Sequence, residues 1–265
     1  MSISFEGKVA IVTGSGSGLG KAHALELARR GAKVVDNDLG GSVDGGAGSS
    51  AAALAVVAEI KAQGGTAIAN GASVSDQKGA ASIIKDALDA FGRVDILINN
   101  AGILRDKTFR KMELPDFELL VQVHLLGSVY CTKAAWPVML EQGYGRIVMT
   151  TSSSGLYGNF GQSNYGAAKL GLVGFMNTLK LEGQKSNIHV NTIAPVAATR
   201  MTENLGIPPE VMARLKPELV TPAVLYLCSD EAPTGTILEA GAGYYSKVQI
   251  VEGQGVKLGD NVTVE

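Results

Sequence analysis

A tyrosine and a lysine four residues apart, Tyr165 and Lys169, form the first pair in this sequence that could move a proton. On a helix this spacing places both side chains on one face, about 5–6 Å apart at Cβ. A nearby ammonium favours a phenolate, so we expect Lys169 to lower the tyrosine pKa from its reference value of about 10. Tyr165 could then exchange a proton with a substrate oxygen. On spacing alone, an ordinary surface pair is the commoner explanation.

A glycine-rich turn, Thr13–Gly20 (TGSGSGLG), follows a short apolar segment and runs into a helical pattern. Glycines there allow a sharp turn and close approach to a pyrophosphate, whose charge rests on the helix N-terminus. An ordinary loop remains the alternative. Asp38, 18 residues after Gly20, can accept hydrogen bonds from an adenosine ribose and repels a 2′-phosphate, which favours NAD over NADP. From this turn the candidate cofactor-binding residues are Gly14, Ser17, Gly18, Leu19 and Gly20.

Short β-branched segments alternate with amphipathic ones along the chain, which predicts an α/β fold with a doubly wound parallel sheet. We expect residues 1–265 to form a single domain, with 253–265 as a mobile tail or an interface arm. The predicted strands are Val9–Val12, Lys33–Asn37, Thr66–Ala69, Val94–Ile98, Arg146–Thr150, His189–Ile193 and one near Val248–Val251. The predicted helices are Leu19–Arg30, Ala51–Gln63, Gln77–Phe91, Pro115–Gln142, Ser163–Lys185 and Pro222–Ser229.

Composition excludes several classes of protein. Of the 265 residues, 46% are hydrophobic and 18% charged, and the net charge is −2. Such a chain can bury a core, so it is not disordered, and it lacks the positive charge of a nucleic-acid binder. Two lone cysteines and three scattered histidines indicate no metal site. The N-terminus has no signal-peptide pattern and no apolar segment is long enough to span a bilayer, so we expect a cytoplasmic protein without membrane contact.

Four ordered motifs together resemble the short-chain dehydrogenase/reductase family. They are the glycine turn, Asn99–Gly102 (NNAG), Ser152 thirteen residues before the tyrosine, and YxxxK at Tyr165–Lys169. The resemblance implies a Rossmann-type fold, NAD(P)-dependent hydride transfer and a homotetramer or homodimer. It implies that Tyr165 is the general acid/base and that Ser152 holds the substrate oxygen. It also implies that Lys169 binds the nicotinamide ribose and lowers the pKa of the tyrosine. The further cofactor-binding residues that it implies are Ser73, Val74, Asn100, Ala101, Gly102, Pro195 and Thr199.

The chain departs from the family pattern at four positions. His124 occupies the place of a usual Asn, and either a proton-relay role or a packed core histidine explains it. Ala72 replaces an Asp that usually meets the adenine, and Val196 replaces the glycine of a Pro-Gly pair. Asp36 stands where relatives carry an apolar residue. A carboxylate there is either near the cofactor or buried without a partner.

A closer resemblance is to the (3R)-hydroxyacyl-CoA dehydrogenase domains of peroxisomal multifunctional β-oxidation enzymes. It rests on five segments and a late glycine pair: Asn37–Gly41, Asn99–Asp106, Tyr157–Gln162, Lys185–His189, Arg200–Thr202 and Gly241–Gly243. It implies NAD-dependent oxidation of (3R)-3-hydroxyacyl-CoA, with some 17β-hydroxysteroids also accepted. We expect a stand-alone relative, since the hydratase and sterol-carrier domains do not follow. A dehydrogenase for hydroxysteroids or other bulky alcohols is the alternative, and a non-catalytic NAD-binding protein a remote one.

Four cations lie within seven residues, at Arg105, Lys107, Arg110 and Lys111. They directly follow the NNAG motif at a predicted strand end, where they could meet the phosphates of CoA. A solvated loop is the other interpretation, because most charge runs are solvated.

Overall fold

Alternating strands and helices build the sheet that carries the predicted site in this computed structural model, which describes residues 3–42, 44–45, 50–198, 208–259 and 263. The strands are β1 (Val9–Thr13), β2 (Lys33–Asn37), β3 (Thr66–Asn70), β4 (Ile96–Asn99), β5 (Gly145–Thr150), β6 (Ile188–Val196), β7 (Ile237–Gly241) and β8 (Tyr244–Val248). The helices are α1 (Gly18–Arg29), α2 (Ala51–Ala62), α3 (Gln77–Phe91), α4 (Leu114–Val121), α5 (Gly127–Gln142), α6 (Ser153–Tyr157), α7 (Ser163–Glu182), α8 (Pro209–Met212) and α9 (Thr221–Cys228).

Within the described residues, the strands form one sheet in the order β3-β2-β1-β4-β5-β6-β7-β8. All neighbours are parallel except β7 and β8, which form an antiparallel hairpin. The strand order reverses between β1 and β4, so the crossovers leave on opposite faces there and a crevice opens above their carboxyl ends. The predicted α/β class, with a single doubly wound Rossmann-type domain, is confirmed.

The central strands are apolar because helices cover both faces of the sheet. All five residues of β1 are buried. Its Ala10 and Val12 pack in the layer that contains α1, α2 and α9. Its Val9 and Ile11 pack in the opposite layer with α3, α5 and α7. The two layers therefore clamp β1, which fixes the start of the glycine-rich turn.

The prediction for the last strand is wrong. The sheet ends in the hairpin of β7 and β8, and Ile250 and Val251 lie beyond it with 70% and 80% of their surface exposed. Ala242 and Gly243 both have positive φ, at 50° and 79°, which is the twist of a tight two-residue hairpin turn. Because this turn lacks the usual Asn-Gly or Asp-Gly, the sequence signal was weak. Residues 253–259 are exposed and carry no helix or strand.

The helix predicted as Pro115–Gln142 is interrupted. A π-helical turn, Gln122–Leu126, separates α4 from α5. Such a turn holds one residue more than α-helical geometry allows, and it often marks a functional position. His124 lies in its middle and is buried. The long helix starting at Ser163 also ends earlier than predicted, at Glu182, before a short 3₁₀ turn and Asn187 at φ 53°.

The described residues offer no alternative chemistry at the cysteines and no metal cluster. Cys131 and Cys228 are both buried free thiols, and burial raises the pKa of Cys131 to about 12. No group of three or more His, Cys, Asp or Glu side chains in the described part could hold a metal ion. Nor does any helix in the described ranges reach the length and apolarity required to cross a membrane.

Asp36 is the exception to the apolar sheet. It is fully buried on β2, and neither carboxylate oxygen has a well-formed hydrogen bond with a described residue. Burial raises the pKa of Asp36 to about 7, and the nearby Ser15 hydroxyl lowers it only in part. Asp36 is also absent from the walls of the cleft described below. Of its two interpretations, the structure thus favours a carboxylate buried without a partner.

We expect Asp36→Asn to stabilise the protein in a pH-dependent way. The unfolded chain loses this proton near pH 3.8 and the folded chain only near pH 7. Asp36 therefore costs nothing below about pH 4, and the cost grows to the order of 3–4 kcal/mol as pH rises through 7. Denaturant unfolding should show a large gain for Asp36→Asn at pH 8 and a small one at pH 4.5. The exposed control Glu252→Gln should show no such pH dependence, and an equal gain at both pH values would contradict the assignment.

Candidate active site

A cleft of about 480 Å³ opens at the carboxyl ends of the strands on both sides of the β1–β4 switch point. Its walls come from segments far apart in sequence, which the sheet order brings together. The predicted residues that line it are Gly14, Ser17, Gly18, Leu19, Asp38, Ser73, Val74, Asn100, Ala101, Gly102, His124, Ser152, Tyr165, Lys169 and Pro195. Thr199 lies outside the described residues. Gly20 is described but does not line the cleft.

The glycines of the turn are required by close backbone contacts. A Cβ on Gly20 would lie 2.2 Å from the Gly14 carbonyl oxygen, so Gly20 lets α1 pack against the turn. A Cβ on Gly14, whose φ is 64°, would lie 2.7 Å from the Cα of Ala101. The role of Gly20 is thus to shape the turn, while Gly14 and Gly18 form its surface toward the cleft.

Asp38 directly follows β2 at the edge of the cleft. Its Oδ2 accepts a hydrogen bond from the Gly16 amide at 2.8 Å, and its Oδ1 accepts one from the Gly40 amide at 2.6 Å. These bonds hold the carboxylate beside the glycine turn in one orientation. A carboxylate so placed can still accept hydrogen bonds through its remaining lone pairs, as a ribose diol requires.

Asn100 ties the end of β4 to the glycine turn. Its Nδ2 donates to the carbonyl oxygens of Thr13 and Gly14, at 3.0 and 3.1 Å. In return the Thr13 hydroxyl accepts the backbone amides of Asn100 and Ala101, at 3.0 and 3.1 Å. Asn100 therefore fixes the floor of the cleft. The sequence analysis predicted that Asn100 lies at this site, but it predicted no role for Thr13.

Ser152, Tyr165 and Lys169 converge from two elements. Ser152 is the N-cap of α6, where its Oγ accepts the Ser154 amide at 3.2 Å, and the other two lie one turn apart on α7. The Lys169 Nζ donates to the Thr150 carbonyl at 2.6 Å and lies 5.4 Å from the centroid of the Tyr165 ring. Lys169 is thus anchored to the end of β5, beside the tyrosine.

The expected lowering of the tyrosine pKa is not what this structure gives. Burial raises the pKa of Tyr165 to about 12, the hydrogen bond with Ser152 lowers it, and the charge of Asp106 raises it. Burial also lowers the pKa of Lys169 to about 7. The lysine therefore carries only part of a positive charge at neutral pH. Desolvation is the largest cause of both pKa shifts, since it favours the neutral form of each group.

His124 supports the NNAG segment. Its Nε2 lies 3.0 Å from the Ile103 amide nitrogen and 2.8 Å from the Ile103 carbonyl oxygen, and its Nδ1 has no described partner. Its ring meets Tyr165 edge to face, with the centroids 5.3 Å apart. Burial and the charge of Lys169 lower the pKa of His124 well below its usual value, so the ring is neutral. It is buried, as a core histidine would be, and it also lines the cleft.

The cation cluster is partly neutralised. Arg105 and Lys107 both form ion pairs with Asp116, and the Arg105 Nε also donates to the Asp44 carbonyl. The two pairs lower the pKa of Asp116. Arg110 and Lys111 lie in a 3₁₀ turn at Phe109–Lys111, in which no residue is buried. Of the four cations, Arg110 and Lys111 form no ion pair with a described residue.

Near the expected adenine position, Ala72 leaves no carboxylate. The Asn37 Nδ2 donates to the Ala72 carbonyl at 2.9 Å, which occupies one acceptor there. Ser73 and Ser75 bond to each other through their hydroxyls at 2.8 Å. The walls at this end come from Ala72, Ser73, Val74 and Ser75.

Two polar residues at the mouth of the cleft had no role in the sequence-based prediction. Asn159 and Gln162 line it, and their side chains bond to each other at 3.0 Å. Both fall in the segment Tyr157–Gln162, one of those that carry the resemblance to the peroxisomal dehydrogenase domains. The spacing of three residues in a glycine-containing loop was the available signal.

Comparisons with known proteins agree with this geometry. A sequence profile described as short chain dehydrogenase matches residues 8–208. Peroxisomal multifunctional enzyme A of Dictyostelium discoideum is 54% identical over 98% of this chain, and the chain spans 58% of that protein's length. A solved short chain dehydrogenase from Mycobacterium avium superposes with a TM-score of 0.86 and 38% identity, covering 98% of this chain and 91% of that one. A 7α-hydroxysteroid dehydrogenase, solved with NADH and 7-oxo glycochenodeoxycholic acid, superposes with a TM-score of 0.81 and 30% sequence identity. The match covers 91% of this chain and 95% of that one.

We expect Gly102 and His124 to be energetically coupled. A Cβ on Gly102 would lie 2.2 Å from the His124 Cε1, so Gly102→Ala must displace the ring and should cost about 1–3 kcal/mol. In a His124→Asn background the obstacle is gone, and the same substitution should cost much less. Urea unfolding of the wild type, both single variants and the double variant measures the coupling. Additive effects would show that the ring does not hold this segment.

Proposed function

The chain belongs to the short-chain dehydrogenase family, and from this premise we propose that it interconverts a secondary alcohol and a ketone with NAD, preferring (3R)-3-hydroxyacyl-CoA. Oxidoreductase activity follows from the family itself. The observation that supports the proposed alcohol–ketone interconversion is the position of Tyr165. It lies between Ser152 and Lys169 in a cleft whose other end holds the glycine turn and Asp38.

The residues present fit a dinucleotide. The glycine turn leaves no room for a Cβ at Gly14 and opens onto the N-terminus of α1, which suits a pyrophosphate. Asp38 suits a ribose diol and repels a 2′-phosphate, which favours NAD over NADP. When bound, NAD supplies a nicotinamide carbon that accepts or returns a hydride. The walls at Asn100, Ala101 and Pro195 would hold the cofactor along the floor.

The chain's own residues then handle the oxygen of the substrate. Ser152 donates a hydrogen bond to that oxygen and orients the carbon that bears it. In oxidation Tyr165 first loses its own proton to solvent, and its phenolate then takes the hydroxyl proton of the substrate. In reduction the neutral tyrosine donates its proton to the substrate oxygen. A positive charge on Lys169 stabilises the phenolate that forms, and the lysine also binds the nicotinamide ribose. His124 keeps the Ile103 backbone in place and lies edge to face against the tyrosine ring.

The substrate assignment rests on the relatives and on the cations. The Dictyostelium relative is named a peroxisomal multifunctional enzyme, and Arg110 and Lys111 remain at the surface for phosphate groups. A hydroxysteroid is the second candidate, favoured by the likeness to the 7α-hydroxysteroid dehydrogenase. A homotetramer or homodimer and a cytoplasmic location stay predictions. The word peroxisomal in the relative's name points to another compartment for that protein.

We expect NAD to be preferred over NADP by about 100-fold in kcat/KM, because two like charges in contact cost several kcal/mol. Asp38→Asn keeps the shape of the side chain and removes the charge, so it should reduce this preference about tenfold or more. Initial rates with both cofactors measure it. Equal use of NADP by the wild type would contradict the role of Asp38.

The substrate is tested by NADH formation from (3R)-3-hydroxybutyryl-CoA, its S-enantiomer, the free acid and a 17β-hydroxysteroid. We expect turnover of the R-configured CoA ester at a rate far above the others. Tyr165→Phe should bind NADH as the wild type does and lose at least about 1,000-fold in kcat, since it lacks the proton donor. Turnover of the steroid alone would keep the chemistry and discard the CoA ester. Near-normal turnover by Tyr165→Phe would discard the mechanism.

A further inference from the structure

A chain of three polar side chains runs along the mouth of the cleft. The Gln162 Nε2 donates to the Asp106 Oδ2 at 2.6 Å, and the Asn159 Nδ2 donates to the Gln162 Oε1 at 3.0 Å. Neither Asp106 nor Gln162 nor Asn159 has a part in the mechanism above. The charge of Asp106 nevertheless reaches Tyr165, whose pKa it raises.

The backbone holds these three side chains in contact. Asn159–Gln162 is a tight turn, in which the Gln162 amide donates to the Asn159 carbonyl and Gly161 has a φ of 81°. The first and last side chains of such a turn are neighbours. On the other side, the Asn164 Nδ2 donates to the Arg105 carbonyl at 3.1 Å, which ties the Asp106 loop to the start of α7.

The carboxylate determines the orientation of both amides. An ionised Asp106 only accepts hydrogen bonds, so Gln162 must turn its NH₂ toward it and its oxygen toward Asn159. Asn159 must then turn its own NH₂ toward Gln162. The Asn159 Oδ1 is left as an acceptor, since the side-chain hydrogen bond that Asn159 forms within the described residues is the one donated by its Nδ2. Asn159 is exposed at the cleft mouth, where a ligand can reach this oxygen.

We propose that Asn159 is a specificity-determining residue that accepts a hydrogen bond from an amide N–H of the substrate, with Asp106 and Gln162 as the positioning residues that aim its oxygen. This inference rests on the proposed function and deepens it. In a CoA thioester, the first N–H beyond the sulfur belongs to the cysteamine amide, two methylene groups away. A steroid ring system offers no N–H. The acceptor therefore selects thioesters of cysteamine over other bulky ketones.

Two uncharged probes test the acceptor without the phosphates of CoA. The first is acetoacetyl-N-acetylcysteamine, and the second is its S-(4-oxopentyl) analogue, in which a CH₂ replaces the N–H. Both are reduced with NADH, and the ratio of their kcat/KM values is the readout. The second probe lacks this hydrogen bond and leaves the Asn159 oxygen unpaired. We therefore expect the wild type to have an about tenfold higher kcat/KM for the amide probe.

Three variants distinguish the effect of the orientation of the Asn159 oxygen from the effect of its presence alone. Asn159→Leu removes the acceptor and should bring the ratio to about 1. Gln162→Lys offers only donors, so it pairs with Asp106 and draws the Asn159 oxygen away from the cleft. The ratio should then fall to 1 or below although Asn159 is intact. Ser163→Ala, next to the turn and outside the chain of three, should keep the tenfold ratio. NADH affinity, measured by fluorescence, should be unchanged in all three variants.

The outcomes distinguish this inference from the proposed function. Equal kcat/KM for the two probes in wild type would overturn the acceptor and leave the dehydrogenase activity standing. A tenfold ratio that survives Gln162→Lys would show that Asp106 and Gln162 do not orient Asn159, and would overturn their part. If neither thioester is reduced although NADH binds, the thioester function fails, and the inference fails with it.

Discussion

The site depends on one close crossing of the backbone, where the turn after β1 meets the chain after β4. No Cβ fits on Gly14 because the Cα of Ala101 is too near, and the gap is closed by four hydrogen bonds between Thr13, Gly14, Asn100 and Ala101. Both strands are buried on two faces, so neither can move without disturbing a packed layer. The floor of the cleft is therefore held by the same packing as the core of the sheet.

The π-helical turn connects this part of the cleft to Tyr165. It carries His124, whose ring occupies the space that a side chain at position 102 would need. The same ring bonds to Ile103, directly after the NNAG segment, and packs against Tyr165, so one side chain contacts both of these parts of the cleft. An extra residue in a helix is costly in an ordinary core, and the histidine contacts supply a reason for keeping it.

Much of the fold could be predicted from the sequence, because the central strands are uniformly apolar and the glycine turn and YxxxK motif are local patterns. What escaped prediction depends on distant partners. Arg146 stands at the start of the predicted fifth strand, where a polar residue is ordinary, yet in β5 it is buried and donates to the carbonyl oxygens of Ser229, Asn187 and Asp230. The π turn likewise follows from tertiary contacts of His124. The proposed orientation of Asn159 requires knowing that Asp106, 53 residues earlier, lies within reach of Gln162.

Burial favours the neutral forms of Lys169 and Tyr165 in the resting protein, and the two side chains stabilise each other as charged groups only after the tyrosine has lost its proton. Lys169 is buried, and none of the ion pairs in the described part of the chain includes it. Its pKa of about 7 and the tyrosine pKa of about 12 both reflect desolvation, which favours the neutral forms. Once Tyr165 gives up its proton, the phenolate and the ammonium stabilise each other in the same dry surroundings. A lysine without a carboxylate partner thus reduces stability at rest, and the pairing that would offset this cost forms only with the proton transfer that the proposed reaction needs.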